Sequence, residues 1–273
     1  MKLPLPSRRA MKCLASLLAL LLLVALNTPS AGAAVLTEPF DTPIGGVPVD
    51  WKTVKRSGSS AVVGIASWDE GTHYGLLISR PSGGSSNSNA VVFYTGTQEG
   101  ISGGVMSDFT GSVTLVLGAG YTRTDSSRGV VLRAQSTGSY DDLSGYYLAF
   151  TSNKLFLSKD PATHGDIGEE LLSVSLSGLQ QNHAYQLDFS ITGSIVIGTL
   201  YDGASVVATL THDLSPSGEA YYTSGSFGLR GGYQGNVETY FSDLTLTPAP
   251  IPEPATLALL AFGLVALGLW RKR

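Results

Sequence analysis

Between residues 112 and 247 the chain alternates apolar and polar side chains with a period of two, stretch after stretch. "SVTLVLGAGY" (112–121), "GVVLRAQ" (129–135), "GYYLAFTS" (145–152), "KLFLSK" (154–159), "AYQLDFSI" (184–191), "SIVIGTLY" (194–201), "SVVATLT" (205–211), "SGSFGLRG" (224–231) and "VETYFSDLTLT" (237–247) each read as a half-buried strand. Ser152-Asn153, Thr192-Gly193 and Asp202-Gly203 separate neighbouring runs, and such dipeptides suit two-residue hairpin loops, which need positive φ. No convincing helical pattern lies between the two ends. About a dozen strands at spacings of roughly 8–12 residues imply one antiparallel β-sandwich or barrel, all-β, over 34–248.

Composition supports the same reading. Glycine is abundant (33 residues) and charged residues are few (14%), a texture of strands and turns rather than helices. "RPSGGSSNSNA" (80–90) reads as a flexible loop rather than a domain linker, because strand patterns continue on both sides.

The two ends follow different rules. Lys2, Arg8, Arg9 and Lys12 precede an apolar run from Leu14 to Leu26, and Ala31-Gly32-Ala33 follows as a small-residue cleavage site. That order is a secretory signal peptide over 1–33. The alternative, a retained anchor, fits less well because the run is short and a cleavage site follows it. Cys13 is the only cysteine and lies inside this segment, so the exported body has no disulfide and must stand on packing alone. At the other end, residues 255–270 form a run of apolar or small residues, about 24 Å long as a helix against a hydrocarbon core of roughly 30 Å. Arg271, Lys272 and Arg273 close it, and basic residues stay on the cytoplasmic side.

"PEPATLALLAFGLVALGLWRKR" resembles the PEP-CTERM sorting signal of Gram-negative bacteria. Its three parts stand in order at 249–273: the motif Pro252-Glu253-Pro254, a transmembrane helix and the basic end Arg271-Lys272-Arg273. The resemblance implies export through the translocon, transient residence in the inner membrane and cutting by exosortase near the motif. The product would belong to the envelope, the surface or the medium, often beside exopolysaccharide and biofilm. An ordinary single-span anchor is the competing reading.

Removing both ends takes seven of the 17 basic residues and one of the 21 acidic ones, leaving 10 against 20 and a net charge of −10. Such a surface repels phosphate backbones, which excludes nucleic acid as a natural partner. Neutral polymers and divalent cations fit better.

Within the body, "GVVLRAQSTGSYDDLSGYYLAF", the hairpin of "YQLDFSITGSIVIGTLYDGASVV", "GSFGLRGG" and "TYFSDLTLT" are similar in order to the concanavalin A-like, laminin-G-like jelly rolls. The resemblance implies an antiparallel jelly-roll β-sandwich. It also implies that one structural calcium can tie the first and last strands, which points to Glu38, Asp41 and Asp243. Plain surface acids are the alternative for all three. The fold hosts lectins, sugar-cleaving enzymes and inert spacers alike, so function must come from the site.

Catalytic chemistry finds little support. A glycosidase needs two carboxylates flanking the scissile bond, whereas Asp141-Asp142 and Glu169-Glu170 are adjacent pairs in loop-like stretches. Gly100-Ile101-Ser102-Gly103-Gly104 matches a nucleophile elbow in letters, but that elbow must lead into a helix. The four histidines are scattered, without zinc spacing. Strand facing offers a different signal. If Leu132, Leu148 and Leu229 face the core, then Arg133, Tyr147 and Arg230 line the opposite face. Tyrosine and arginine on a concave sheet suit glycan recognition, since a ring stacks on sugar C–H groups and a guanidinium donates to hydroxyls. Ordinary polar alternation is the bland alternative. The expectation is an exported, non-catalytic protein that contacts extracellular polysaccharide. Its alternatives are a glycoside hydrolase of the same fold and a structural spacer.

Overall fold

The computed structural model describes residues 35–41, 46–69, 73–80, 88–97, 101–160, 168–215, 221–233 and 237–249. The expected signal peptide at 1–33, the sorting motif with its helix, and most of the 80–90 and 159–170 segments lie outside them. Residues 34–249 form one compact unit. Among the described residues no helix is long and apolar enough to cross a membrane.

The described residues form sixteen strands, numbered here in chain order. One sheet holds β1 (Leu36–Glu38), β3 (Val62–Ser67), β4 (Tyr74–Arg80), β7 (Phe109–Leu117), β12 (Ala184–Thr192), β13 (Ile195–Asp202), β14 (Ser205–Asp213) and β16 (Val237–Pro248). The other holds β2 (Trp51–Lys55), β5 (Ser88–Tyr94), β6 (Val105–Met106), β8 (Arg128–Ala134), β9 (Tyr146–Phe150), β10 (Lys154–Lys159), β11 (Glu169–Ser175) and β15 (Gly225–Tyr233). The first runs β14-β13-β12-β7-β16-β4-β3 with β1 also on β16; the second runs β11-β10-β9-β8-β15-β5-β2 with β6 also on β15. Every pairing is antiparallel. This is the expected all-β sandwich.

The core lies between the sheets because each strand turns one apolar row inward. Leu115, Leu187 and Phe189 from the first sheet meet Val130, Leu148 and Leu229 from the second. Phe189 stacks on Phe227 at 5.4 Å and Phe109 meets the same ring edge-on at 6.1 Å, joining the sheets. The hairpins β12–β13 and β13–β14 use Gly193 and Gly203 as the first of two loop residues, both at φ 55°, a conformation that glycine adopts without a β-carbon penalty.

The second sheet departs from half-burial. β12 alternates exposed and buried positions, but every residue of β8 and β9 is buried. A second apolar cluster explains this: Phe156, Ala149, Tyr147, Val131, Phe93, Val91 and Val54 pack on the outer face under Tyr140 and Leu143. Glu169 and Glu170, expected in a loop, open strand β11 instead and remain exposed. Glu170 takes a hydrogen bond from the Lys154 ammonium and another of 2.6 Å from the Ser173 hydroxyl.

Candidate functional site on the second sheet

Register builds the site. On the outer face, Phe156, Ala149, Gly129, Arg230, Val91 and Val54 stand side by side across β10, β9, β8, β15, β5 and β2. The adjacent row is Ser158, Tyr147, Val131, Gly228, Phe93 and Lys52. Gly129 lies opposite Arg230, and a β-carbon there would sit 2.6 Å from the Ala149 Cα. The floor is therefore small beside the guanidinium, which leaves Arg230 room to lie flat.

Arg230 and Tyr147 do share this face. The Arg230 guanidinium lies 4.3 Å from the centre of the Tyr147 ring and 5.4 Å from that of Tyr140. Its Nη2 donates to the Tyr140 hydroxyl. An arginine held between two aromatic faces is a cation–π arrangement that gains strength where water is excluded. Water is excluded here: Tyr147 is 0% and Arg230 1% exposed. The cover is the strap joining β8 to β9, closed at its neck by Gln135 N–H on Ser144 O at 3.0 Å. Tyr140 and Leu143 of the strap reach down, while Asp141 and Asp142 face solvent, Asp141 lying 3.9 Å from Arg56 Nε.

A further buried arginine, Arg128, which alternation alone does not single out, pairs with Phe150 at the start of β8. Arg128 is 1% exposed, donates from Nη2 to Ser126 O at 3.1 Å and lies 5.9 Å from the Phe150 ring centre. Its Nε and Nη1 have no partner among the described residues. Burial pulls its guanidinium down to about 10, with the Tyr147 hydroxyl acting against that pull. Burial in turn pushes Tyr147 up, opposed by Arg230, Ser127 and Arg128. The Tyr147 hydroxyl sits beside Ser127 without a hydrogen bond of good geometry.

Arg133 is a correction. Leu132 and Arg133 together oppose the single residue Phe227, because the β8–β15 register slips between Val131/Gly228 and Ala134/Ser226. Arg133 takes φ 51° at this bulge, and the extra residue turns its side chain off the Tyr147 face. Its guanidinium, 1% exposed, crosses to the first sheet. Nε donates to Ser107 O at 2.7 Å, Nη1 to Gly193 O and Tyr222 O at 2.8 Å each, and Nη2 to Asp108 Oδ1 at 2.7 Å. Burial lowers the Arg133 guanidinium and Asp108 opposes that. Arg133 therefore clamps the sandwich rather than lining the face. Asp108, its partner, carried no motif; an arginine in an apolar strand, needing an anion, was the one available hint.

The calcium trio does not assemble. The Glu38 carboxylate takes the Phe40 N–H at 3.3 Å, and Asp243, at φ 50° on a bulge, accepts from the Ser242 hydroxyl at 3.0 Å. Among the described residues no three His, Cys, Asp or Glu side chains gather to hold a metal, so Glu38, Asp41 and Asp243 are not brought together as one such group. Ser102 bridges to Val105 and leads into β6, so the helix a nucleophile elbow needs is absent there. Two histidines that spacing left isolated do find acids: His183 Nε2 lies 2.7 Å from Asp202 Oδ1, and His73 Nδ1 pairs with Asp69.

Known proteins agree with this geometry at the level of fold. The basic winged bean lectin solved with Tn-antigen superposes with a TM-score of 0.53 at 9% identity, covering 78% of this chain and 97% of its own. Lectin UEA-II complexed with galactose gives 0.52 at 11% identity, covering 80% and 99%. A Bacillus subtilis protein of unknown function with a galectin-like fold gives 0.52 at 11% identity, covering 80% and 97%. The body is thus a lectin-like, concanavalin A/galectin-type jelly roll. No curated protein matches the chain in sequence. Residues 250–273 match the PEP-CTERM protein-sorting motif. The chain is accordingly an exported, envelope-sorted protein whose tail implies exosortase processing.

Proposed function

We propose that this protein is a non-catalytic glycan-binding component of an extracellular polysaccharide layer, delivered there by its sorting tail. The observation that carries the reading is Arg230 stacked between Tyr147 and Tyr140 on one sheet face. Aromatic faces hold sugar rings and a guanidinium donates to their hydroxyls, so this grouping, which Tyr140 and Leu143 cover in the structure, has the chemistry of a carbohydrate platform once that cover moves aside. The acidic body, with 20 acids against 10 bases, fits a matrix role better than binding to nucleic acid.

The test is a screen of the exported protein against neutral and charged glycans, reading both retention and the appearance of new reducing ends. Retention without release is expected. Release with turnover would make the protein a sugar-cleaving enzyme of the same fold; neither retention nor release would leave a structural spacer and sink the proposal.

A further inference from the structure

A strand at the margin of a sheet presents a row of N–H and C=O groups, and natural proteins blunt such margins with charge, brevity or cover. The two sheet paths end in four marginal strands: β14, β3, β11 and β2. On one flank β11 lies against β14, and the two carry Glu169, Glu170 and Asp213. On the other flank β2 ends the second sheet with Lys52 and Lys55, both exposed. There β3 ends the first sheet with Val62-Val63-Gly64-Ile65-Ala66-Ser67, and no charged residue stands anywhere in 57–68. Of the four margins, β3 alone is unguarded.

The register shows what this margin offers. Trp68 N–H donates to His73 O at 3.4 Å, continuing the β3–β4 ladder in which Val62 pairs with Ser79. Hydrogen bonding alternates along an antiparallel pair, so Val62, Gly64 and Ala66 turn their backbone groups to β4. Val63 and Ile65 then turn theirs away from the sheet. Outside that ladder, no backbone group of the described residues bonds to Val63 or Ile65. Between them stands Gly64, and glycine in mid-strand often marks a close approach of another backbone.

We propose that β3 is a pairing edge for a second copy of this chain, joined antiparallel about a two-fold axis near Ile65, so that the two first sheets run on as one. In that register Ile65 meets its own counterpart, Gly64 meets Ala66 and Val63 meets Ser67, with neither charge nor proline opposed. Charge selects the occupant. Two bodies of net charge −10 repel each other over most of their surfaces, and this seam brings none of that charge into contact. A basic or acidic partner strand gains nothing from an uncharged seam, whereas a copy of β3 matches it residue for residue. Lys52 and Lys55 keep β2 from pairing in the same way, which confines the junction to the first sheet. The pairing does not depend on what the second sheet binds.

The test is sedimentation velocity on the exported protein over a concentration series, with melting temperature measured in parallel. Six residues per copy make a small contact, so the mean mass should climb from one chain toward two over roughly 1–100 µM. Val63→Pro deletes an N–H that the single copy does not use, and Ala66→Lys sets a lysine on each side of the axis. Each should raise the concentration of half-association at least tenfold while melting close to the parent. Ile197→Lys, on the exposed outer face of the same sheet, should associate as the parent does. A parent that stays at one chain throughout overturns the proposal. So does a folded Ala66→Lys that associates like the parent, and that variant decides the matter alone if Val63→Pro does not fold. Loss of association in Ile197→Lys but not in Ala66→Lys would place the contact on the sheet's face and refute pairing through its edge.

Discussion

The two sheets show opposite outer faces. Along β12, β13 and β14 the first sheet turns Asp188, Ser190, Thr199, Thr209 and Thr211 outward, and Thr209 donates to Thr199 at 3.3 Å across the ladder. Ser112 and Thr245 continue the same short hydroxyl surface, 2.8 Å apart. The second sheet turns Phe156, Tyr147, Val131, Phe93 and Arg230 outward and then covers them with its own strap. One sheet is a boundary with water, while the other lies between two cores. The difference is that a strand's alternation reports how many of its faces are buried, and β9 and the middle of β10 hold Tyr147, Ala149 and Phe156 at the positions where a wetted face would need polar residues.

Breaking the second face should therefore cost like a core mutation. Phe156 is fully buried there and meets the Tyr147 ring edge-on at 5.9 Å. Phe156→Ala is expected to destabilise by about 3–5 kcal/mol in denaturant titration, as loss of a buried aromatic does. A loss under about 1 kcal/mol would mean that the strap does not seal the face in solution.

Next in size is the clamp between the sheets. Arg133→Ala strands three carbonyls and leaves Asp108 without its cation. Breaking a buried ion pair costs about 3–5 kcal/mol, but Asp108 is partly exposed and can rehydrate, so about 2–3 kcal/mol is expected. The prediction separates Arg133 from Arg128, its neighbour on β8. Removal of Arg133 should unfold the protein more easily, whereas removal of Arg128 should not.

The period-two pattern located nine of the strands within a few residues of their ends, and Gly193 and Gly203 fell at the hairpin loops, because these features are local. The shared facing of Tyr147 and Arg230 was also readable, since both strands keep their alternation. Arg133 was not, because a bulge adds one residue and reverses every facing beyond it without changing the letters. "GYYLAF" and "KLFLSK" did carry a legible warning. Their outer positions hold Tyr147, Ala149 and Phe156, which is a two-sided apolar run rather than a half-wet one. The strap could not be foreseen, since Tyr140 and Leu143 reach the sheet from an irregular loop.

A smaller effect sharpens the contrast through pH. Burial raises the Tyr147 ionisation in the folded chain, so its neutral form is favoured there. For a group raised on folding, the contribution is complete below its unfolded value near 10 and is lost as pH climbs beyond that. The parent should therefore weaken above about pH 10, and Tyr147→Phe should flatten that loss. At neutral pH the same change deletes an unpartnered hydroxyl and is expected to stabilise by about 1 kcal/mol, the scale of an unsatisfied buried group. A destabilised Tyr147→Phe would show that Ser127 and the hydroxyl do bond in solution.

The smallest effect belongs to the first sheet. Thr199 sits mid-strand on β13 with its hydroxyl at the surface and its neighbour Thr209 as a weak donor. Surface substitutions away from caps, cores and networks usually stay within about 0.5 kcal/mol, and Thr199→Val keeps the β-branched shape that strands favour. Thr199→Val should leave the denaturation midpoint within that margin, and glycan retention should not change, because the site proposed here lies on the other sheet. If Thr199→Val instead abolished retention while the protein stayed folded, the flat hydroxyl face would be the binding surface. The contrast between the sheets would then be reversed: the covered face would serve only as a second core, and the open one would carry the function.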